Sequence, residues 1–265
     1  MTSYENIKMI KGLNWVGLWT LVKREVGRFL TVYMQTIIAP VVTTLLFYTV
    51  FALAFDGIQR EIAGIPFMAF LAPGLIIMTM VQNAFANTSS SVVISKVQGN
   101  IVDILLPPLS GFELYLGFVI GAVVRGLCVG LATVLVMAVF VPIAINNIWI
   151  VLGVGFLGTL AMGSLGLAAG IWSEKFDHIA AVTNFIVTPL TFLSGTFYSV
   201  EQLPQMWRVI AHYNPFFFMI DGFRHGFIGI GDSHLAVGFA VLIVINLALM
   251  ALTLAMLRTG YKIKS

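Results

Sequence analysis

Residues 126–173 read GLCVGLATVLVMAVFVPIAINNIWIVLGVGFLGTLAMGSLGLAAGIWS and contain no Asp, Glu, Lys or Arg. An α-helix needs about 20 consecutive apolar residues to cross the hydrocarbon core of a bilayer. Turn-forming residues interrupt the run at Pro142 and at Asn146-Asn147. The run therefore predicts the end of one membrane-spanning helix and the whole of the next.

Four further stretches lack charged residues, and they lie at 29–55, 62–95, 179–200 and 236–257. Of the 265 residues, 59% are hydrophobic and 9% are charged, whereas soluble domains average about 25% charged residues. This composition predicts an all-α fold, a polytopic integral membrane protein with six transmembrane helices. The predicted spans are 32–55, 67–92, 113–141, 148–172, 179–198 and 235–257. They form one transmembrane domain over 1–265, with an interfacial segment at 1–31, a membrane core at 32–257 and a tail at 258–265.

The basic residues predict the orientation of the chain, because cytoplasmic loops carry an excess of Lys and Arg. Ten lie in the two tails or in loops on the same side, three lie on the opposite side, and Arg125 lies within a span. Both termini are therefore expected in the cytoplasm. The net charge of +3 is explained by topology and anionic lipid, so no nucleic-acid partner is expected. The ten are Lys8, Lys11, Lys23, Arg24, Arg28, Lys96, Lys175, Arg258, Lys262 and Lys264, and the three are Arg60, Arg208 and Arg224.

Two segments outside the spans have the spacing of amphipathic helices. At 13–30, apolar residues recur on one helical face with Arg24 and Arg28 opposite, which predicts an N-terminal interfacial helix. This helix is either a simple anchor or one that also transmits motion from a cytoplasmic partner. A second short helix is predicted over 92–105, and it is either a plain connection or the element that couples the membrane domain to a partner. Its apolar positions are Ile94, Val97, Ile101 and Ile104.

The segment 197–234 is too apolar for a free loop and too polar to span the membrane. Pro204 and Pro215 are typical of helix starts, and Gly229 is typical of a helix end. Backbone at membrane depth must satisfy its own hydrogen bonds. The pattern predicts an outer re-entrant hairpin of two short helices between spans five and six. Its candidate functional side chains are Arg208, His212, Asp221 and Arg224.

Polar side chains inside the spans form the candidate translocation path. They recur at helical spacing in the second and fifth spans, where they either line a path between two subunits or hydrogen-bond neighbouring helices. Arg125 is the charged residue well inside a span, and it is expected to make a structural polar contact, to snorkel to the inner surface or to contact substrate. The path residues are Thr79, Asn83, Asn87, Ser90, Asn184, Thr188 and Thr191.

The sequence lacks the patterns of nucleotide hydrolysis and metal binding. The Gly-Lys dipeptide of a phosphate-binding loop never occurs, the four His are scattered, and Cys128 alone cannot build a cysteine-rich metal site. No catalytic residue, metal site or cofactor is therefore expected in this chain.

The order of these elements, together with several sequence segments, resembles the ABC-2 type permeases. The segments are FLAPGL at 70–75, NAFAN at 83–87, TPLTFLSG at 188–195, FYS at 197–199, NP at 214–215 and DGFR at 221–224. The resemblance implies the membrane subunit of a bacterial inner-membrane exporter. It also implies that two permease chains, as a homodimer, pair with two copies of a separate ATP-binding protein that holds the ATP.

The same resemblance implies that 92–105 meets the ATP-binding protein and that the second and fifth spans face the dimer axis. Two other functional classes remain open from the residues alone. One is an ATP-independent channel or secondary transporter, although no inverted repeat or pair of intramembrane carboxylates was found for proton coupling. The other is a membrane enzyme, which would need clustered catalytic residues that the sequence does not contain.

Overall fold

The computed structural model describes residues 12–55, 61–62, 64–141 and 144–262. Four of the basic residues used to predict the orientation, Lys8, Lys11, Arg60 and Lys264, lie outside the described residues, as does the turn at Pro142.

The described residues form eleven α-helices and one short β-hairpin. The helices are α1 (Trp15–Thr31), α2 (Ala39–Ala54), α3 (Phe67–Val97), α4 (Ile101–Leu105), α5 (Gly111–Met137), α6 (Ile148–Trp172), α7 (Phe176–Val182), α8 (Thr188–Leu193), α9 (Gln205–His212), α10 (Pro215–Ile228) and α11 (Leu235–Thr259). Strands β1 (Glu61–Ile62) and β2 (Ile65–Pro66) pair antiparallel. A π-helical turn, Met34–Ile38, leads into α2, and a second, Thr183–Val187, joins α7 to α8.

Six helices among the described residues are long and apolar enough to cross a membrane, which confirms the predicted six-span, all-α fold. They are Met34–Ala54, Phe67–Val97, Gly111–Met137, Ile148–Trp172, Phe176–Leu193 and Leu235–Thr259. The predicted end of the fifth span, at 198, was wrong. The helix ends at Leu193 because Gly195 adopts a positive φ of 78°, a conformation that breaks a right-handed helix.

Helix α3 is the centre of the bundle. Within its most apolar stretch 78% of the residues are buried, against 17% for the first span and 11% for the fifth. It packs chiefly on α6 and α5, and also on α10 and α2. Small residues permit the closest approach, since a Cβ on Gly166 of α6 would lie 2.4 Å from the carbonyl oxygen of Phe85 in α3. The first and fifth spans therefore present most of their apolar side chains to the outside of the chain.

The interfacial helix α1 packs against α5. Its first turn is capped by Asn14, whose side chain accepts a hydrogen bond of 3.0 Å from the backbone N–H of Gly17. Two glycines of α5 allow the two helices to pack closely. A Cβ on Gly117 would lie 2.4 Å from Leu21, and one on Gly121 would lie 2.6 Å from Glu25. Gly117 and Gly121 are four residues apart on one face of α5, and α1 packs on that face.

Candidate translocation site

A groove of about 300 Å³ lies between α3 and the fifth span. It is the place where the two predicted polar stripes approach each other. Its lining mixes amide and hydroxyl groups with apolar side chains, which suits a molecule with both polar and apolar parts. The lining residues are Gln82, Asn83, Phe85, Ala86, Ser89, Ser90, Ile179, Thr183, Val187 and Thr188.

On α3, the predicted polar stripe divides between the groove and the interior. Asn83 and Ser90 line the groove, whereas Asn87 is fully buried. Thr79 lies one turn before Asn83 in α3, and its hydroxyl is 2.6 Å from the hydroxyl of Thr44 in α2. The same stripe therefore serves both of the roles that were left open, because some of its members face the groove and others join helices.

On the fifth span, the three predicted residues do not share one face. Thr188 lines the groove and Asn184 is exposed, whereas Thr191 is buried and donates its hydroxyl to the carbonyl oxygen of Val187 at 2.6 Å. The π-helical turn Thr183–Val187 explains the divergence, because it inserts a residue into the helical repeat and rotates the side chains that follow. Spacing counted on a regular α-helix therefore fails beyond this turn.

Arg125 lies inside the bundle and is 8% exposed. Its Nη2 donates to Oδ1 of Asn83 at 2.8 Å, so the side chain makes a polar contact with α3. Asn83 itself lines the groove, which places the guanidinium group directly behind the groove wall.

A buried carboxylate that sequence reasoning missed joins α1 to α3. Glu25 is fully buried, accepts a hydrogen bond of 2.8 Å from the hydroxyl of Ser91, and lies 3.4 Å from Nη2 of Arg28. Burial raises the pKa of the Glu25 carboxyl, and the nearby Arg28 charge opposes that rise. The available signal was that Glu25 is the one acidic residue between 13 and 55, and it follows Leu18, Leu21 and Val22 at helical spacing.

Arg28 extends from the end of α1 to the middle of α3. Its Nη2 donates to the backbone oxygen of Asn87 at 2.6 Å and to Oδ1 of the same residue at 3.1 Å, and its Nη1 donates to the Ser90 hydroxyl at 3.3 Å. The sequence placed Arg28 on the polar, solvent-facing side of α1. In the structure it instead ties the interfacial helix to the polar stripe of α3.

The segment 92–105 is not one helix, so the prediction of a single amphipathic helix there was wrong. α3 continues to Val97, and Gly99, with φ of 75°, reverses the chain before α4. A residue with positive φ ends a right-handed helix, so the four predicted apolar residues lie on two separate helices or beside the turn. Ile104 is buried, Ile94 and Ile101 are half-buried, and Val97 is 54% exposed.

The break leaves an apolar surface around α4 that we call the 97–106 surface. It consists of Val97, Val102 and Leu106, which are exposed by 54%, 54% and 73%. Exposed apolar side chains in a group are typical of a contact site for another protein. The group differs from the predicted set, because Ile101 and Ile104 pack against the protein's own core.

The outer segment contains the two predicted short helices, α9 and α10, which end before α11. Arg224 is 2% exposed and donates to the carbonyl oxygens of Phe70 at 3.3 Å and Gly195 at 2.7 Å. Asp221 accepts hydrogen bonds from the backbone N–H groups of Asp232 and Ser233 at 2.7 and 2.9 Å. These contacts tie α10 to α3, to the end of the fifth span and to the loop before α11.

The other two predicted hairpin residues lie nearer the surface. Arg208 forms an ion pair of 3.0 Å with Glu201, and both side chains are largely exposed. His212 has Nδ1 2.8 Å from the carbonyl oxygen of Arg208, and its ring lies 4.8 Å from that of Phe217. All of these contacts fit a structural role in holding the hairpin together. In the described residues, no group of three or more His, Cys, Asp or Glu side chains could hold a metal ion.

Comparison with known proteins agrees with this architecture. A family model described as "ABC-2 type transporter" matches residues 16–228. The chain is 36% identical to the inner membrane transport permease YadH of Escherichia coli K12 over 254 residues, covering 96% of this chain and 99% of YadH. It is 25% identical to nodulation protein J of Sinorhizobium fredii, covering 76% of each chain. It is 22% identical to nodulation protein J of Rhizobium leguminosarum bv. viciae, covering 93% of this chain and 95% of the relative. The chain thus belongs to the ABC-2 type transporter family.

Proposed function

We propose that this chain is the membrane-spanning permease subunit of an ATP-driven exporter in a bacterial inner membrane. The observation that carries the proposal is the family match over residues 16–228, reinforced by 36% identity to a protein named as an inner membrane transport permease. The sequence contains no phosphate-binding loop, which supports the assignment of ATP binding to a separate subunit.

We further propose that the 97–106 surface is where the ATP-binding protein docks. An interface needs an apolar centre, and the exposed residues are Val97 at the end of α3, Val102 in α4 and Leu106 directly after α4. A force applied there reaches the groove directly, because Asn83 and Ser90 belong to the same helix. Ile101 and Ile104 pack against the protein's own core next to this surface.

Charge introduced into the 97–106 surface should uncouple ATP hydrolysis from the permease. In proteoliposomes containing the candidate ATP-binding protein, Val102→Asp and Leu106→Asp should each reduce the permease-dependent change in ATP hydrolysis about tenfold, because a buried unpaired carboxylate disfavours docking. Val139→Asp is the matched control, since Val139 is 79% exposed just beyond the end of α5, far along the chain from α4. Unchanged hydrolysis in both α4 variants would contradict the docking surface. Substrate flux that proceeds without ATP would favour a channel or secondary transporter.

Two copies of the chain are proposed to enclose the path. The first and fifth spans expose long apolar faces, including Leu46 and Leu53 of α2 and Phe185 of the fifth span, the last at 82%. The fifth span forms one side of the groove lined by Asn83, Ser90 and Thr188, so a second copy packed on its exposed face would close the groove. Substrate would then move between α3 and the fifth span of each copy.

Both termini are proposed to be cytoplasmic, which thiol labelling can test. In a Cys128→Ser background, Ser3→Cys should resist an impermeant thiol reagent in intact cells, whereas Glu201→Cys should react. The reason is the ten-to-three excess of basic residues on the side of the termini. Reaction of Ser3→Cys in intact cells would reverse the proposed orientation, and membrane permeabilisation should make that variant reactive.

A further inference from the structure

A second groove lies between α6 and α11, at the ends of these helices that are nearest the C-terminal tail. Its volume is about 550 Å³, compared with about 300 Å³ for the groove between α3 and the fifth span. It extends over 165–172 of α6 and 252–259 of α11, which is about 10 Å of helix at 1.5 Å per residue. One leaflet of a bilayer contains about 15 Å of hydrocarbon, so the groove covers most of that depth.

The groove exists because alanines line it between larger side chains. Ala168 and Ala169 of α6 are buried in its floor, and Ala255 lines it from α11. Leu252 and Trp172 also line it, and both are exposed. The small residues thus leave a channel on the surface of two membrane-spanning helices. A bilayer presents acyl chains at this depth, so the apolar surface of the channel is matched to an acyl chain.

Towards the helix ends, the surroundings of the groove change from apolar to aromatic and then to basic. Trp172 and Tyr261 line the groove there, and both residue types are enriched at the headgroup level of membranes. Nζ of Lys262 lies 5.6 Å from the centre of the Trp172 ring and 2.8 Å from Oε1 of Glu174. An ammonium group has three N–H donors, and Glu174 is the one ion-pair partner of Lys262 among the described residues. Lys262 can therefore also donate to a phosphate group at the mouth of the groove.

This end of the bundle also carries an excess of positive charge. Nζ of Lys96, at the end of α3, donates to the carbonyl oxygen of Ser173 at 3.0 Å, next in the chain to Glu174. Across the ends of α3, α6 and α11, four basic residues stand against two acidic ones. Basic pockets between membrane helices on the cytoplasmic side bind acidic lipid headgroups, and this end carries the tail that is proposed above to be cytoplasmic. The residues counted are Lys96, Lys175, Arg258 and Lys262, with Glu174 and Asp177.

We propose that the groove between α6 and α11 is a binding site for an anionic phospholipid of the cytoplasmic leaflet. An acyl chain lies on Ala168, Ala169 and Ala255, and the phosphate accepts a hydrogen bond from the ammonium group of Lys262. The lipid is a resident ligand that fills the space between the ends of α6 and α11. Its site is separate from the transport path proposed above, because α11 does not line the groove between α3 and the fifth span.

The fluorescence of Trp172 reports whether the site is occupied. The chain has five Trp, and the other four are exposed, so replacing them with Phe leaves Trp172 as the reporter in the full-length protein. This variant is reconstituted into phosphatidylcholine vesicles that contain either phosphatidylglycerol or phosphatidylcholine with brominated acyl chains, which quench a Trp that they touch. Phosphatidylglycerol should bind beside Trp172 about fivefold more tightly than phosphatidylcholine, the factor that one basic residue contributes at a membrane surface. The four replaced residues are Trp15, Trp19, Trp149 and Trp207.

Two charge variants separate lipid binding from a purely structural ion pair. Lys262→Gln should remove most of the preference for phosphatidylglycerol. Glu174→Gln should increase the preference, because it removes the carboxylate that competes with the phosphate for Lys262. Lys23→Gln is the matched control and should leave the preference unchanged, since Lys23 is an exposed lysine of α1 that does not line the groove.

Equal quenching by the two lipids, an unchanged preference in Lys262→Gln, or a lower preference in Glu174→Gln would overturn the proposal. Protection of Trp172 from both lipids would also overturn it, because another part of the protein, such as a second copy, would then cover the groove. If Lys262→Gln does not insert, Ala255→Phe fills the groove from an exposed position and should reduce quenching by brominated phosphatidylglycerol. Unchanged quenching in that variant would contradict the placement of the acyl chain.

Discussion

Replacing Gly166 with alanine should lower the free energy of unfolding by about 1–3 kcal/mol, because the change overpacks the contact between α6 and α3. The added Cβ would lie 2.4 Å from both the carbonyl oxygen of Phe85 and Oγ1 of Thr88. Neither atom can yield easily, since the first is helix backbone and the second donates to the carbonyl oxygen of Gly163 at 2.8 Å. Unfolding in mixed micelles with increasing SDS measures the change.

The matched control is Gly27→Ala in α1. A Cβ at Gly27 meets no atom within 4 Å, so this variant should be neutral or gain up to about 1 kcal/mol from the better helix propensity of alanine. Equal unfolding midpoints for the two variants would mean that α3 and α6 do not pack as closely as described.

Replacing Arg224 with glutamine should cost on the order of 2–5 kcal/mol, because two buried carbonyl oxygens lose a charged donor. Those oxygens belong to Phe70 in α3 and Gly195 after the fifth span, and the guanidinium carbon also lies 3.7 Å from the centre of the Phe70 ring. A Cβ on Gly74 would lie 3.1 Å from Nη2 of Arg224, so the glycine leaves room for the arginine. The expected result is a lower thermal midpoint in detergent and faster cleavage of the outer segment by protease.

Arg208→Gln serves as the comparison on the same hairpin. Arg208 is 40% exposed and pairs with Glu201, which is 50% exposed, so its loss should change stability by less than about 1 kcal/mol. Similar losses in the two variants would contradict the assignment of Arg224 as the residue that joins three elements.

The spans could be predicted from the sequence because each is constrained by one local requirement. A helix that crosses the hydrocarbon core needs about 20 consecutive residues with little or no charge, and such a run can be recognised within one short stretch of sequence. The hairpin was also predictable, since Pro204, Pro215 and Gly229 mark helix ends by their own backbone preferences. Several boundaries shifted by a few residues, and at the fifth span the positive φ of Gly195 accounts for the earlier end of the helix.

The site was predicted less completely because its contacts join distant residues. Asn83 and Ser90 were identified from spacing, but nothing in one helix shows that Arg28, 59 residues before Asn87, turns towards α3. Glu25 was missed for the same reason, since a single acid on an amphipathic helix is normally assigned to its polar face. The π-helical turn Thr183–Val187 cannot be read from apolar spacing, and it separates Asn184 from Thr191.

The central position of α3 has a consequence for how the protein is made. α3 is less hydrophobic than the spans immediately before and after it, and the residues that satisfy its polar groups lie on both sides of it in the chain. Arg28 is synthesised before α3, but Arg125 and the glycine face of α6 are synthesised after it. α3 therefore leaves the ribosome before its partners in α5 and α6 exist. α3 lies at the centre of the finished bundle. Of the first three spans, it is also the one whose insertion into lipid depends most on helices that have not yet been translated.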